Sequence, residues 1–258
     1  MEAASSELLL EAIGLARQAG ELQLACFRRG HLDTETKAGN DFDLVTKVDK
    51  GCEELVKNGI HRLHPRHAIL SEESGMEETS SEWQWVIDPL DGTTNYNAGL
   101  PYFNISIGIR HKGETVVGVV YAARLDELFT AVKGEGARLN GDPIHCSACD
   151  RLSHAVICTG FPYDKAQTSD NNLDNFSQVM PVTRGIRRLG SAALDISYVA
   201  AGFLDGFWEL ALHEWDVCAA TLIASEAGAK VSSLRPGRGC SMCIANPVLH
   251  EQLAAMVH

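Results

Sequence analysis

Asp88 and Asp91 stand three positions apart in the stretch Trp85-Val86-Ile87-Asp88-Pro89-Leu90-Asp91-Gly92-Thr93-Thr94-Asn95. An apolar run carries the first acid to its end, Pro89 stops the run, and Gly92-Thr93-Thr94 opens an expected helix. Two carboxylates beside free backbone N–H groups and a hydroxyl can hold a hard cation next to an anion, the equipment for metal-assisted phosphate chemistry. Two more acidic sites follow strand-like runs: Glu72 with Glu73 after Ile69-Leu70, and Asp216 after Trp208 to Trp215. Loops at strand ends are where α/β proteins assemble sites. Carboxylate oxygens without a His or Cys companion suit Mg2+, which takes about six oxygen ligands and keeps several waters. Asp88 and Asp91, across a turn, can reach one cluster together with the Leu90 carbonyl. Asp216 precedes an expected helix whose N-terminal dipole stabilises a carboxylate. Taken singly, each acid also fits a helix cap or a solvated loop residue.

These residues need elements to position them. Apolar positions at Leu9, Ile13, Ala16, Leu24 and Phe27 predict a long amphipathic helix over residues 6–28, with Gly30 as its stop. The segment from Gly30 to Asp43 is polar and carries Gly39-Asn40-Asp41, a turn signal. Thr46 or Asp43 is then placed to cap a second helix that Pro65 ends near Leu63. Alternation predicts strands over 104–110, 114–121 and 127–133, and Asn140-Gly141 predicts a hairpin turn. After Pro143 the pattern reads strand 155–159, helix 191–201, strand 206–210, helix 217–227 and strand 243–245. The coarse reading is two halves, 1–143 and 144–258.

The chain has 258 residues, 45% hydrophobic and 22% charged, enough to bury a proper core. Its net charge of −12 argues against nonspecific binding to nucleic acid or an anionic membrane. No apolar run approaches the roughly 18–20 residues of a membrane span. The start Met1-Glu2-Ala3-Ala4-Ser5-Ser6-Glu7 lacks the basic and apolar regions of a signal peptide, and eight cysteines form no dense disulfide framework. A cytoplasmic protein is the expectation.

The stretch 85–95, together with Glu214-Trp215-Asp216-Val217-Cys218-Ala219-Ala220 through Glu226-Ala227-Gly228, resembles the two signature motifs of the inositol monophosphatase family. Asp43-Leu44-Val45-Thr46-Lys47-Val48-Asp49 and Ser71-Glu72-Glu73-Ser74 are similar to two further landmarks of that family, in the right order. The similarity covers about residues 5 to 250. It implies a layered αβαβα sugar-phosphatase fold, with an N-terminal α+β half carrying most metal ligands and a C-terminal α/β half carrying substrate contacts. It implies that Glu72, Asp88 and the Leu90 carbonyl hold one Mg2+, that Asp88, Asp91 and Asp216 hold a second, and that a third, looser ion sits near Glu72. Thr93 and Asp49 would hold and deprotonate the attacking water, with Glu72 beside them in the catalytic group. Gly92 and Thr93 would bind phosphate through their N–H groups. Gly190, Ser191, Ala192 and Glu209 match positions that contact polyol hydroxyls, Asp91 would accept another hydroxyl, and Lys37 would lie near the phosphate. The reaction implied is Mg2+-dependent hydrolysis of a small phosphate monoester, myo-inositol 1-phosphate foremost, by direct attack of water. Lithium inhibition, a homodimer, and neither nucleic-acid nor membrane binding complete the expectation.

The chain departs from the family at Thr221 and at Ala229, each standing where a Gly is usual, which predicts packing differences. Rival activities are fructose 1,6-bisphosphatase, histidinol phosphatase and nucleotide or NADP phosphatase. Leu189-Gly190-Ser191 replaces the Trp-Gly-Asp of histidinol-type relatives, while Arg187 and Arg188 leave room for a second phosphate. A partner-binding regulatory protein that retains the phosphatase site is the rival from another class. Two CxxC pairs, Cys146 with Cys149 and Cys240 with Cys243, are too far apart to favour zinc or redox chemistry. His61, His64 and His67 read as a loop with histidines.

Overall fold

The spacing that predicts the first helix is realised in α1 (Glu2–Cys26), which buries Leu8, Ala12, Leu15, Ala16 and Ala19. The computed structural model describes residues 2–28, 34–36 and 44–258. The second helix, α2 (Lys47–Leu63), packs on α1 and ends ahead of Pro65. A Cβ at Gly59 would lie 2.2 Å from Leu15 Cδ2, so glycine there lets the two helices close up. Gly30 and Asp43, the expected stop and cap, lie outside the described residues. Thr46 ends a short strand, β2 (Leu44–Thr46), antiparallel to β1 (Thr34–Thr36).

Eight strands follow: β3 (Ala68–Ser71), β4 (Gly75–Glu77), β5 (Trp83–Asp91), β6 (Asn104–His111), β7 (Glu114–Ala122), β8 (Glu127–Val132), β9 (Ala137–Leu139) and β10 (Asp142–Ile144). They form one sheet in the order β10-β9-β8-β7-β6-β5-β3-β4. β3 and β5 run parallel and the other neighbours antiparallel. Asn140 (φ 52°) and Gly141 (φ 91°) supply the two positive φ angles of the predicted hairpin. Period-two alternation sorts the faces. Ile105, Ile107 and Ile109 of β6 join the core under α1 and α2, as do Val117 and Val119 of β7, while Val120 and Ala122 face the other way.

The second sheet contains β11 (Val156–Thr159), β12 (Gly185–Arg187), β13 (Gly206–Leu212), β14 (Lys230–Arg235) and β15 (Cys240–Ala245), in the order β12-β11-β13-β15-β14. Helices α5 (Ala192–Ala200) and α6 (Glu214–Glu226) fill the layer between the sheets. The outer face of the second sheet is covered by α7 (Pro247–Ala254), with Phe176 and Val179 of α4 (Leu173–Val179) in the same core. The result is the layered αβαβα arrangement. No described helix is long and apolar enough to cross a membrane.

Three local readings change. Pro89 does not stop its strand: β5 runs on to Asp91, with a register shift between Asp88 and Asp91. Asp216 lies inside the first turn of α6 rather than before it, because the helix starts at Glu214. β13 continues past Leu210 to Leu212 through a bulge at which Ala211 adopts φ 61°. His61 is in the last turn of α2, paired with Glu77 at 2.9 Å, and His64 stacks on His67 at 4.4 Å between ring centres. Cys243 is buried in β15, and burial pushes its thiol up to about 12.

Helix α6 rides unusually close to the first sheet. A Cβ at Gly118 would come within 2.6 Å of the Ala219 carbonyl oxygen, and one at Gly108 within 2.4 Å of Cys218 Sγ. Thr221, one of the two departures, turns its hydroxyl back onto the Val217 carbonyl at 2.8 Å. Gly118→Ala should therefore cost about 1–3 kcal/mol through overpacking. Gly14→Ala, in α1 with nothing within 4 Å of its added Cβ, should gain about 0.5–1 kcal/mol. Urea unfolding of both variants checks this, and equal effects would refute the packing account.

Candidate metal and phosphate site

The register shift in β5 is what makes the Asp88–Asp91 pair usable. Residues three apart on a regular strand face opposite ways. Here Asp88 pairs with Ser106 and Asp91 with Asn104, so β5 advances three residues while β6 advances two. The extra residue is a β-bulge, and Pro89 sits in it where the ladder is already interrupted. Both acids thereby face the side on which α5 and α6 pack. The Leu90 N–H donates to Asp88 Oδ1 at 3.0 Å, and the Pro89 carbonyl accepts from Gln23 Nε2 of α1 at 2.9 Å.

Three other parts of the chain bring acids to this bulge. Glu72 follows β3, Asp216 comes from α6, and both line one cavity of about 440 Å3 with Asp88 and Asp91. Asp49, from the first turn of α2, approaches from the other side: carboxylate oxygens of Asp49, Glu72 and Glu73 lie within 4.8 Å of one another. Burial, then the charges of Glu72, Asp91, Asp216 and Asp49, push Asp88 well above the usual carboxylate range. Burial followed by Asp91 and Glu72 does the same to Asp216, whose Oδ2 also accepts from the His213 N–H at 2.6 Å. The main influences on these two groups are burial and other carboxylates, an arrangement that calls for a cation.

Beside the acids, Gly92 turns the chain with φ 91° into α3 (Thr93–Asn97). A side chain there would meet the Tyr102 carbonyl oxygen at 2.9 Å, so both the angle and the space require glycine. No side chain caps α3, and Gly92, Thr93 and Thr94 line the cavity. Thr93 Oγ1 lies 2.9 Å from the Leu90 carbonyl oxygen and 3.3 Å from Asp49 Oδ2.

Asp91 joins this cluster to the second half of the chain. Its Oδ2 accepts from Asn104 Nδ2 (3.1 Å), Ser191 Oγ (2.8 Å) and the Ala193 N–H (2.8 Å), capping α5. Those bonds occupy Oδ2, so a sugar hydroxyl at Asp91 would compete with a metal for Oδ1. Asn95 fastens the same junction by donating to the Tyr102 and Leu189 carbonyls, each at 2.8 Å.

The far wall of the cavity holds Glu209, Asp195 and Arg188. Gly160 leaves room for the Glu209 carboxylate, whose Oε1 a Cβ there would meet at 1.9 Å. Burial, then Asp195, pushes Glu209 up to about 8. Asp195 is pushed up to about 7, chiefly by burial, although the Tyr102 hydroxyl donates to it at 2.7 Å. Both folded-state values exceed the ordinary ones, so the folded protein binds more protons than the unfolded chain between about pH 4 and 8. Stability should fall as pH rises through that window. Asp195→Asn should remove a share worth on the order of 2–4 kcal/mol by pH 8. Unfolding in chelator from pH 5 to 8 tests this, and a variant slope equal to wild type would count against it.

Of the residues singled out from the sequence, Glu72, Asp88, Leu90, Asp91, Gly92, Thr93, Gly190, Ser191, Ala192, Glu209 and Asp216 line this one cavity, and Asp49 reaches it through Thr93. Lys37 lies outside the described residues. Arg188 lines the cavity and Arg187 is not among its lining residues. Asp195, Asn95, Asn104 and Tyr102 escaped the sequence reading. Asp195 had one usable signal, an acid in the helical turn directly after Gly190-Ser191.

The donor set tests whether a metal fits. Asp88, Asp91, Glu72, Asp216 and the Leu90 carbonyl offer oxygen alone, converging in a cavity that also presents the start of a helix. Hard, oxygen-seeking Mg2+ matches such donors, and soft metals do not.

A family model described as the inositol monophosphatase family matches residues 5–258. Nus factor SuhB of Pasteurella multocida is 44% identical over 228 residues, covering 88% of this chain and 85% of that protein. Among solved structures, extragenic suppressor protein SuhB from Bartonella henselae superposes with a TM-score of 0.89 at 34% identity, covering 97% of this chain and 98% of that one. Inositol monophosphatase from Anabaena (Nostoc) sp. PCC 7120 gives 0.86 at 37% identity, covering 97% and 95%.

Proposed function

Because this chain belongs to the inositol monophosphatase family, we propose that it hydrolyses a small phosphate monoester with Mg2+, and that myo-inositol 1-phosphate is its substrate. The observation that carries this reading is the bulged β5, which turns Asp88 and Asp91 to one side, facing Glu72 and Asp216 beside the start of α3. In this reading Glu72, Asp88 and the Leu90 carbonyl hold one ion, and Asp88, Asp91 and Asp216 a second. A third, looser ion belongs near Glu72. Bound Mg2+ supplies charge neutralisation for the phosphate and makes a nearby water more acidic. Thr93 and Asp49 orient that water and take its proton, while the N–H groups of Gly92 and Thr93 hold the phosphate. Gly190, Ser191, Ala192 and Glu209 shape the polyol side, and Lys37 is assigned to the phosphate by resemblance. The same reading divides the chain near residue 143 and makes it a lithium-sensitive, cytoplasmic homodimer.

The polyol assignment rests on the wall opposite the acids. Two carboxyls, the buried Asp195 and the half-buried Glu209, offer hydrogen bonds to neighbouring hydroxyls. A second phosphate would instead need free positive charge there. Arg188 supplies one guanidinium, but Glu209 and Asp195 beside it add negative charge whenever they ionise. This favours a monoester over a bisphosphate. Turnover of a panel of phosphate monoesters and fructose 1,6-bisphosphate, with Mg2+ and with or without Li+, decides the matter. A preference for the bisphosphate would sink the substrate assignment.

A second role is supported by relatives that bear the name Nus factor. The net charge of −12 favours a protein partner over direct contact with nucleic acid. Complementation of a deletion strain by Asp88→Asn protein tests it. Rescue supports a role separate from turnover, and failure by a folded, normally abundant variant removes it.

A further inference from the structure

Glu53 is buried in the second turn of α2, one turn beyond Asp49, and no role has yet been given to it. Its Oε2 accepts from Ser71 Oγ at 2.5 Å and from the Glu73 N–H at 2.9 Å. Those donors are the residues on either side of Glu72, whose own N–H donates to the Ile87 carbonyl at 3.2 Å. The same helix grips the following turn through Lys57, which donates to Ser74 Oγ at 2.6 Å and pairs with Glu77. We propose that Glu53 is a positioning residue for Glu72: one carboxylate oxygen clamps the Ser71 hydroxyl on one side of it and the Glu73 backbone N–H on the other, and so aims its carboxylate at Asp88. Placing Asp49 and Glu53 on one rigid helix also locks the water-handling group and the Glu72 loop into a fixed relation. The proposal rests on the assignment of Glu72 to the metal.

Groups that hold a metal ligand in place typically cost about 10–100-fold in metal affinity when removed. Glu53→Ala should therefore weaken Mg2+ binding to the full-length protein about 10–100-fold by calorimetry, with the Mg2+ concentration for half-maximal turnover raised by a similar factor and kcat at saturating Mg2+ nearly unchanged. Glu53→Gln keeps an oxygen that accepts the same two bonds and should restore affinity to within about threefold of wild type. Wild-type affinity in folded Glu53→Ala protein would overturn the proposal. So would Glu53→Gln protein as weak as Glu53→Ala, since that would make the charge the cause. If Glu53→Ala does not fold, Ser71→Ala carries the test: it removes one of the two bonds and must weaken Mg2+ binding severalfold, with unchanged affinity overturning the role. Glu72→Gln separates the two ideas. Unchanged Mg2+ affinity there refutes the metal assignment itself, whereas a weak Glu72→Gln beside a normal Glu53→Ala refutes the clamp alone.

Discussion

Asp88→Asn protein should fold and lose nearly all turnover, by more than the 10–100-fold typical of groups that merely support a ligand. Asp88 is the acid shared between the two proposed ions, so its loss weakens both. A second consequence runs in the opposite direction. In the metal-free protein Asp88 is buried and faces Glu72, Asp91, Asp216 and Asp49, which is why its proton is held so tightly. A neutral amide of the same shape relieves that repulsion. With chelator present, Asp88→Asn should melt above wild type, each kcal/mol of relief adding about 2–4 °C. Saturating Mg2+ should reverse the order, because wild type alone gains the full binding energy. Calorimetric melting of both proteins in both conditions checks the crossover. Retained turnover, or a variant that gains as much from Mg2+ as wild type does, would refute the ligand assignment.

Thr93→Val should reduce kcat by about 10²–10⁴-fold, the usual contribution of a positioned proton-transfer group. The Thr93 hydroxyl carries one proton and has two acceptors, Leu90 O at 2.9 Å and Asp49 Oδ2 at 3.3 Å. The shorter contact holds the proton while the Leu90 carbonyl has no other demand on it. Once that carbonyl is engaged elsewhere, the hydroxyl turns to Asp49 and its lone pairs become available to a water. Valine keeps the shape and deletes the relay, so Mg2+ affinity should change little. Thr93→Ser should recover turnover to within about tenfold of wild type. Steady-state kinetics at saturating Mg2+ give the answer, and a Val variant within tenfold of wild type would remove Thr93 from the reaction.

Much of the site was legible because its chemistry is written locally. Asp88, Asp91, Gly92 and Thr93 fall within six residues, and the turn into α3 follows from glycine at position 92. The helices α1, α2 and α5 announced themselves through spacing, and the hairpin through Asn140-Gly141. What stayed hidden depends on partners distant in the chain. The bulge exists only because β6 pairs with β5 in a shifted register, which no window around Pro89 contains. Asp195 and Glu53 look like ordinary helical acids until burial and their donors from elsewhere are known. α6 was started late, at Val217, because the two acids of Glu214-Trp215-Asp216 read as a strand-end loop until the Asp216–His213 bond makes them a first turn, and β13 was ended early, at Leu210, because its last residues follow a bulge. α7 was missed although Asn246, which accepts from the Val248 and Leu249 N–H groups, precedes Pro247 in a recognisable cap.

The single extra residue in β5 makes this strand pair sensitive to the difference between its two lengths more than to its spelling. Exchanging Pro89 for another small residue leaves the count intact, and with it the side of the sheet to which each acid points. Adding one residue to β6 between Asn104 and Ser106 restores even pairing, three against three, and sends one acid to the face under α1 and α2, where Ile105, Ile107 and Ile109 leave no place for a charge. Drift in β6 opposite the bulge is therefore confined to substitution. A one-residue insertion there would not tune the site; it would split the metal cluster across two sides of a sheet.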